Sequence, residues 1–181
     1  MEILTDQKNK EGDCMNEIGD VIYRNNIKFK DNGKLDSRVK GHPTINISNS
    51  IDGKIYYLAV TSSKKIIKRN YNFYKIQDKK NSKLTKHSSY VNLDLIYEED
   101  ESNKVEVGYI AAPEMVTIAK SMLENYDSII YENVSTIGID RLSELKNYLQ
   151  GFVEEYSQEE KDEKQSRNST NVELLQKMEM Y

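Results

Sequence analysis

Two short runs carry the side chains best suited to chemistry: Lys40-Gly41-His42-Pro43 and Thr61-Ser62-Ser63-Lys64. Between them, Pro43 to Ser48 and Lys54 to Thr61 are rich in β-branched and aromatic residues and flank Asp52-Gly53. Two such stretches around a tight-turn dipeptide predict an antiparallel hairpin. Residues entering the first strand then lie beside those leaving the second, so an imidazole, hydroxyls and ammonium groups converge at one sheet end. That assortment suits phosphodiester chemistry. In RNA the 2′-hydroxyl can attack its own phosphorus if a base takes its proton, donors stabilise the phosphoryl oxygens and an acid protonates the leaving 5′-oxygen. The scheme needs neither metal nor cofactor. A histidine titrates near neutrality, so His42 can act as base or acid. Lys40 and Lys64 can hold the phosphate as point charges, and the Thr61 and Ser62 hydroxyls can donate hydrogen bonds to it. One histidine cannot fill both proton-transfer roles at once, so His87, a lysine or a tyrosine would supply the other.

Charge points the same way. The net charge of -4 divides into +6 over residues 1–98 and -10 over residues 99–181. Lys54 to Lys86 holds ten basic residues against the single acid Asp78. A field of that density attracts polyanions, which makes nucleic acid the natural partner, with Lys40, Lys64, Lys65, Lys68, Arg69 and Lys75 as phosphate contacts; a solvated lysine-rich face is the bland alternative. Tyr56, Tyr57, Tyr71, Tyr74 and Tyr90 read as core of half-buried strands, with base stacking as the other option. Likewise, His42 alone would be a packing or turn residue, and the Thr61 and Ser62 hydroxyls simple turn formers.

Other classes fall away. No P-loop, dinucleotide fingerprint, nucleophile elbow or HExxH motif is present. A lone Cys14 forms no internal disulfide, and with only His42 and His87 beside it thiolate and imidazole zinc sites are out of reach. No apolar run approaches the roughly 20 residues of a membrane span, and Met1 to Lys10 is polar, so a cytoplasmic, non-membrane protein is expected.

The elements that must position these residues make an α+β chain, a β-barrel followed by helices. Residues 1–17 read as a flexible arm. Short strands are expected at Ile18 to Tyr23, in the hairpin, at Ile66 to Ile76, at Ser89 to Tyr97 and at Val105 to Ile110, with Asn25 to Lys40 as a long loop or charged hairpin; the spacing suits a small barrel. At Pro113 the apolar period changes from two to about 3.6. Met115, Ile118, Met122, Tyr126 and Ile129 then lie along one helix, which closes a barrel domain over 18–131. Leu142, Leu145, Leu149, Phe152 and Tyr156 mark an accessory amphipathic helix within 132–156. Residues 157–181 form an acidic tail too poor in apolar side chains to offset its ordering entropy, largely disordered, with a short docking helix possible after Val172. The acidic half as a whole reads as a partner-binding or self-shielding region.

This order of features resembles the PemK/MazF-like toxins over about residues 18–123. Gly19-Asp20-Val21-Ile22-Tyr23 looks like the family's opening strand, and Gly41-His42-Pro43 like its Gly-x-Arg-Pro motif. Thr61-Ser62 falls where the family has a Thr/Ser ending the third strand; Ser89 to Asp94 resembles its late strand, and Gly108 to Leu123 its closing helix. Thr61-Ser62-Ser63-Lys64 is also similar to the Thr-Ser-x-Lys of the ToxN-type toxins, which an RNA antitoxin restrains. The resemblance implies a small SH3-like barrel that cleaves single-stranded RNA without metal, a protein or RNA antitoxin, and a homodimer. It implies active-site roles for His42 and for Thr61 or Ser62. His42 departs from the family's arginine: either it transfers protons or phosphate binding has passed to Lys40 or Lys64. Two other readings compete: a nucleic-acid-binding module without turnover, and an interaction protein acting through its acidic helices.

Overall fold

The hairpin forms where period-two patterning and the turn agree. In the computed structural model, which describes residues 17–30, 32–37, 40–62, 71–84, 88–102 and 104–178, β2 (His42–Asn46) and β3 (Lys54–Thr61) pair antiparallel. Thr44 stands opposite Ala59, Ile45 opposite Leu58 and Asn46 opposite Tyr57. Asp52 and Gly53 both adopt positive φ, the geometry of a tight hairpin turn. Continued two residues further, this register sets His42 opposite Thr61.

β1 (Asp20–Arg24) takes the outer edge of β2, and β6 (Glu106–Tyr109) takes the outer edge of β1. β5 (Tyr90–Asp100) lies along β3, and β4 (Phe73–Lys75) along β5. The result is a six-stranded antiparallel sheet in the order β4-β5-β3-β2-β1-β6. Of the strand expected over Ile66 to Ile76, β4 holds Phe73–Lys75; Tyr71 and Asn72 precede it outside the strand, and 66–70 lie outside the described residues. The sheet is open, because β4 and β6 do not pair with each other. A one-turn helix, α1 (Lys79–Ser82), instead carries the chain from β4 against β6. There Gly108 lies so close to the Asn81 carbonyl that a side chain would collide with it.

One face of the sheet carries the main core. Val21, Ile45, Leu58, Val60 and Ile96 meet helical side chains that include Met115, Ile118, Met122, Ile129, Leu142, Leu145 and Leu149. The helix expected to run past Tyr126 breaks at Asn125 into α2 (Ala112–Glu124) and α3 (Tyr126–Asn133). Asn125 leaves helical geometry and its side-chain amide donates to the Ser121 carbonyl at 3.0 Å, an example of an asparagine competing with the helix backbone. The last helix, α4 (Ile139–Met178), does not end at Tyr156. No glycine or proline follows Gly151, and side chains one turn apart hold each other, Gln158 to Asp162 at 2.8 Å and Arg167 to Glu163 at 3.4 Å. The segment read as a disordered acidic tail therefore continues the helix. Among the described residues no helix is long and apolar enough to cross a membrane.

β5 is irregular where it passes β3. Leu58 faces Ile96 but Val60 faces Val91, so two steps of β3 span five of β5. The surplus backbone is held by Asn133 at the end of α3. Its buried amide donates to the Asp94 carbonyl at 2.6 Å and the Ile129 carbonyl at 2.7 Å. Its Oδ1 accepts from the Ile96 amide at 2.9 Å and from Lys30 Nζ at 3.1 Å. Asn133→Ala removes a partner from three buried backbone groups and from Lys30, and is expected to cost about 3 kcal/mol, read as a lower urea midpoint with unchanged slope. A loss below about 1 kcal/mol would mean that the bulge is held without it.

Candidate functional site

The other sheet face is polar and aromatic. Arg24, His42, Thr44, Asn46, Tyr57, Ala59 and Tyr97 share it by register. Arg24 is buried, and its guanidinium donates to Glu99 at 2.7 Å, to Asn46 Oδ1 at 2.8 Å and to Thr44 Oγ1, while stacking 3.9 Å from the Tyr57 ring centroid. Burial pushes the Tyr57 phenol up to about 12, with Arg24 opposing, so this ring stays a neutral platform.

The segment between β1 and β2 folds over that face. Lys28 bridges to Leu35, and the Asp36 amide donates to the Ile27 carbonyl at 2.9 Å, making a small hairpin. Ile27 and Phe29 pack on Tyr57, Leu95 and Tyr97, a second, smaller core. The chain re-enters the sheet at Gly41, at φ +72 and with the Arg24 carbonyl 2.8 Å from where a Cβ would stand; only glycine fits there. His42 follows directly. Its Nδ1 lies 2.8 Å from Asp36 Oδ2, and its ring meets Phe29 edge-on at 4.9 Å. The residue is 8% exposed and its Nε2 is buried.

His42 and Thr61 line one cleft. Phe29, Ala59, Val60, Phe73, Asn92, Leu95 and Tyr97 complete it, and it is partly open to solvent. The hairpin thus brings the histidine and the threonine together as its register requires. Ser62 is exposed at the strand end, and Lys40 and Lys75 are exposed and outside the cleft lining. Lys64, Lys65, Lys68, Arg69 and His87 lie outside the described residues. Sequence reasoning missed Asp36, Asn92 and Arg24. A charged residue closing an otherwise buried strand was the available signal for Arg24; Asp36 and Asn92 sit in polar company that marks neither. Two of the three phenylalanines in the chain line this cleft, a usage that also went unread.

A carboxylate on Nδ1 fixes an imidazole in one orientation and stabilises its protonated form. The arrangement can therefore move a proton beside an aromatic cleft that suits a planar ring. α4 packs on the opposite sheet face through Leu142, Leu145 and Leu149, and among the described residues none of its side chains lines the cleft. Among the described residues no cluster of three or more His, Cys, Asp or Glu could hold a metal ion. No family model matches the chain, and no curated protein matches it. The likeness to PemK/MazF-like toxins therefore stands on the quoted motifs alone.

Lys30 fastens the covering segment. Its ammonium donates to Asn133 Oδ1 at 3.1 Å, to Thr136 Oγ1 at 3.0 Å and to the Ile96 carbonyl, and sits 5.3 Å from the Tyr97 ring centroid. Burial lowers its pKa from 10.5 to about 8, against the pull of Glu98. The unfolded chain then holds more protons than the folded one between those values, so the penalty for burying the charged amine is full below about 8 and fades as pH rises to 10.5. Wild-type stability should accordingly gain on that of Lys30→Met across this window, followed by urea unfolding at stepped pH. A difference that stays flat would show the amine to be effectively solvated.

Proposed function

We propose that this protein is a metal-independent endoribonuclease of the PemK/MazF-like kind, cutting single-stranded RNA and restrained by a protein or RNA antitoxin. The observation that carries the reading is one cleft lined by both His42 and Thr61, with Asp36 on the far nitrogen of the imidazole. The bridge that α1 makes from β4 towards β6 supports reading the sheet as an SH3-like barrel left open on one side.

With Nδ1–H donated to Asp36, Nε2 is the basic nitrogen. It takes the proton of a ribose 2′-hydroxyl as that oxygen bonds to phosphorus. The P–O5′ bond breaks, leaving a 2′,3′-cyclic phosphate and a 5′-oxygen that receives a proton from a second group. Lys64 or His87 fills that place in the proposal. Thr61 Oγ1 donates to the phosphoryl oxygens, and Ser62, Lys40 and the basic run 64–69 hold the flanking phosphates. Because Nε2 is buried, the Phe29 segment has to shift before a phosphate reaches it. That burial is also the one observation favouring a second reading, a nucleic-acid-binding module on the same face with no turnover.

Incubation of the purified protein, freed of any antitoxin, with mixed RNA in EDTA separates the two. Cleavage leaving 2′,3′-cyclic phosphate and 5′-hydroxyl ends is expected, with His42→Ala slower by about 10²–10⁴-fold. Asp36→Asn should lose less and move the pH–rate profile, since it acts through the imidazole. Intact RNA in every sequence context, or full activity in His42→Ala, would end the nuclease reading; tight RNA binding with intact RNA would select the second.

A further inference from the structure

We infer that the cleft beside His42 is a base-selecting pocket, built to hold one nucleobase with its carbonyl at pyrimidine C4 or purine C6, uracil or guanine, next to the bond to be cut. This rests on the ribonuclease reading for its ligand, and on a separate side chain, Asn92, for its selectivity.

The lining is the first ground. Phe29, Phe73, Leu95 and Tyr97 give apolar and aromatic walls, and unstacked bases in single-stranded RNA are bound by such surfaces. Walls alone accept any base. Asn92 supplies the difference. It stands opposite Phe73 in the β4–β5 pair and lines the cleft with it. Its Oδ1 accepts from the Asp94 amide at 2.9 Å, which fixes which end of the side chain is oxygen. The Nδ2 end is then the group the pocket offers, and among the described residues nothing accepts from it.

That orientation is held rigidly. The Asp94 carboxylate accepts from Asn72 twice, at 2.8 Å from the backbone amide and 3.0 Å from the side chain, and the Leu93 amide donates to the Asn72 carbonyl at 2.8 Å. Asn133 holds the Asp94 carbonyl from the other side. A fixed N–H donor distinguishes bases where they differ most, at the exocyclic position that bears oxygen in uracil and guanine and an amino group in cytosine and adenine. Carbonyl bases satisfy it; amino bases set donor against donor.

The test uses uncleavable 2′-O-methyl oligonucleotides that differ only in one central base, with binding read by fluorescence anisotropy. The wild-type protein should hold U and G on the order of tenfold more tightly than C and A. Asn92→Asp keeps the acceptor for the Asp94 amide but replaces the donor by a second acceptor, and is expected to reverse that order. Phe73→Leu removes a stacking face and should weaken all four on the order of tenfold without reordering them. Equal binding of all four bases by the wild type, or an unchanged order in a folded Asn92→Asp, overturns the pocket. Ordinary RNA carrying the same four bases separates the two claims. Cleavage with no base order removes the pocket and leaves the nuclease; base-ordered binding with no cleavage in EDTA does the reverse.

Discussion

A guanidinium buried inside a sheet has to have its donors answered, or the fold loses more than the side chain contributes. Arg24 is answered by Glu99, Thr44 and Asn46, with Tyr57 beneath it, so one charge ties β1, β2, β3 and β5 across a single face. The consequence reaches beyond stability. A face carrying that network cannot be sealed by an apolar helix, as the opposite face is. It is covered instead by a short hairpin that contributes only Ile27 and Phe29 to a small second core. Incomplete cover is what leaves a cleft, and Arg24 stands directly opposite His42 in the β1–β2 register. The polar anchor and His42 are thus neighbours by construction.

The helical layer sets the shape of that cleft from the far side of the sheet. Asn133 at once holds the α3 carbonyl of Ile129, the bulged backbone of β5 at Asp94 and Ile96, and the lysine that fastens the covering hairpin. The bulge it supports turns Asn92 and Leu95 towards the cleft. A regular β5 would keep strict alternation past β3 and would present a different pair of side chains there. Main-core packing and site geometry are therefore coupled through one side chain.

How much of this was legible follows from where each feature is encoded. The hairpin is local: two period-two stretches, a turn dipeptide and a register that follows from them, which is why His42 and Thr61 could be placed together before any coordinates. The α2, α3 and α4 core positions are local too, being repeats of three and four. Asp36, Asn92 and Arg24 are not. Arg24 matters through Glu99 from another strand, and Asp36 and Asn92, whose partners are only six and two residues on, matter because the fold sets them beside the cleft. The break at Asn125 and the run of α4 beyond Tyr156 turn on single residues, an asparagine that competes with the helix backbone and the want of any glycine or proline after Gly151. A periodicity of apolar residues carries neither signal.

The acidic residues of α4 ride on a helix packed against the core face, whereas Lys40 lies two residues before His42 and Lys75 on β4 beside Phe73. On the proposed ribonuclease reading, the carboxylates of α4 would repel a polyanion that these lysines attract. Such steering acts before any contact and weakens with salt. The hairpin that covers His42 encloses its Nε2. The cover is attached by Lys30, by the Asp36–His42 pair and by a small apolar cluster, and a segment with so little buried apolar surface opens at lower cost than the core behind the sheet. The molecule thus pairs a floor of Arg24, Asn133 and the bulge with a lighter cover, in which Phe29 is both a wall of the cleft and the ring packed against His42.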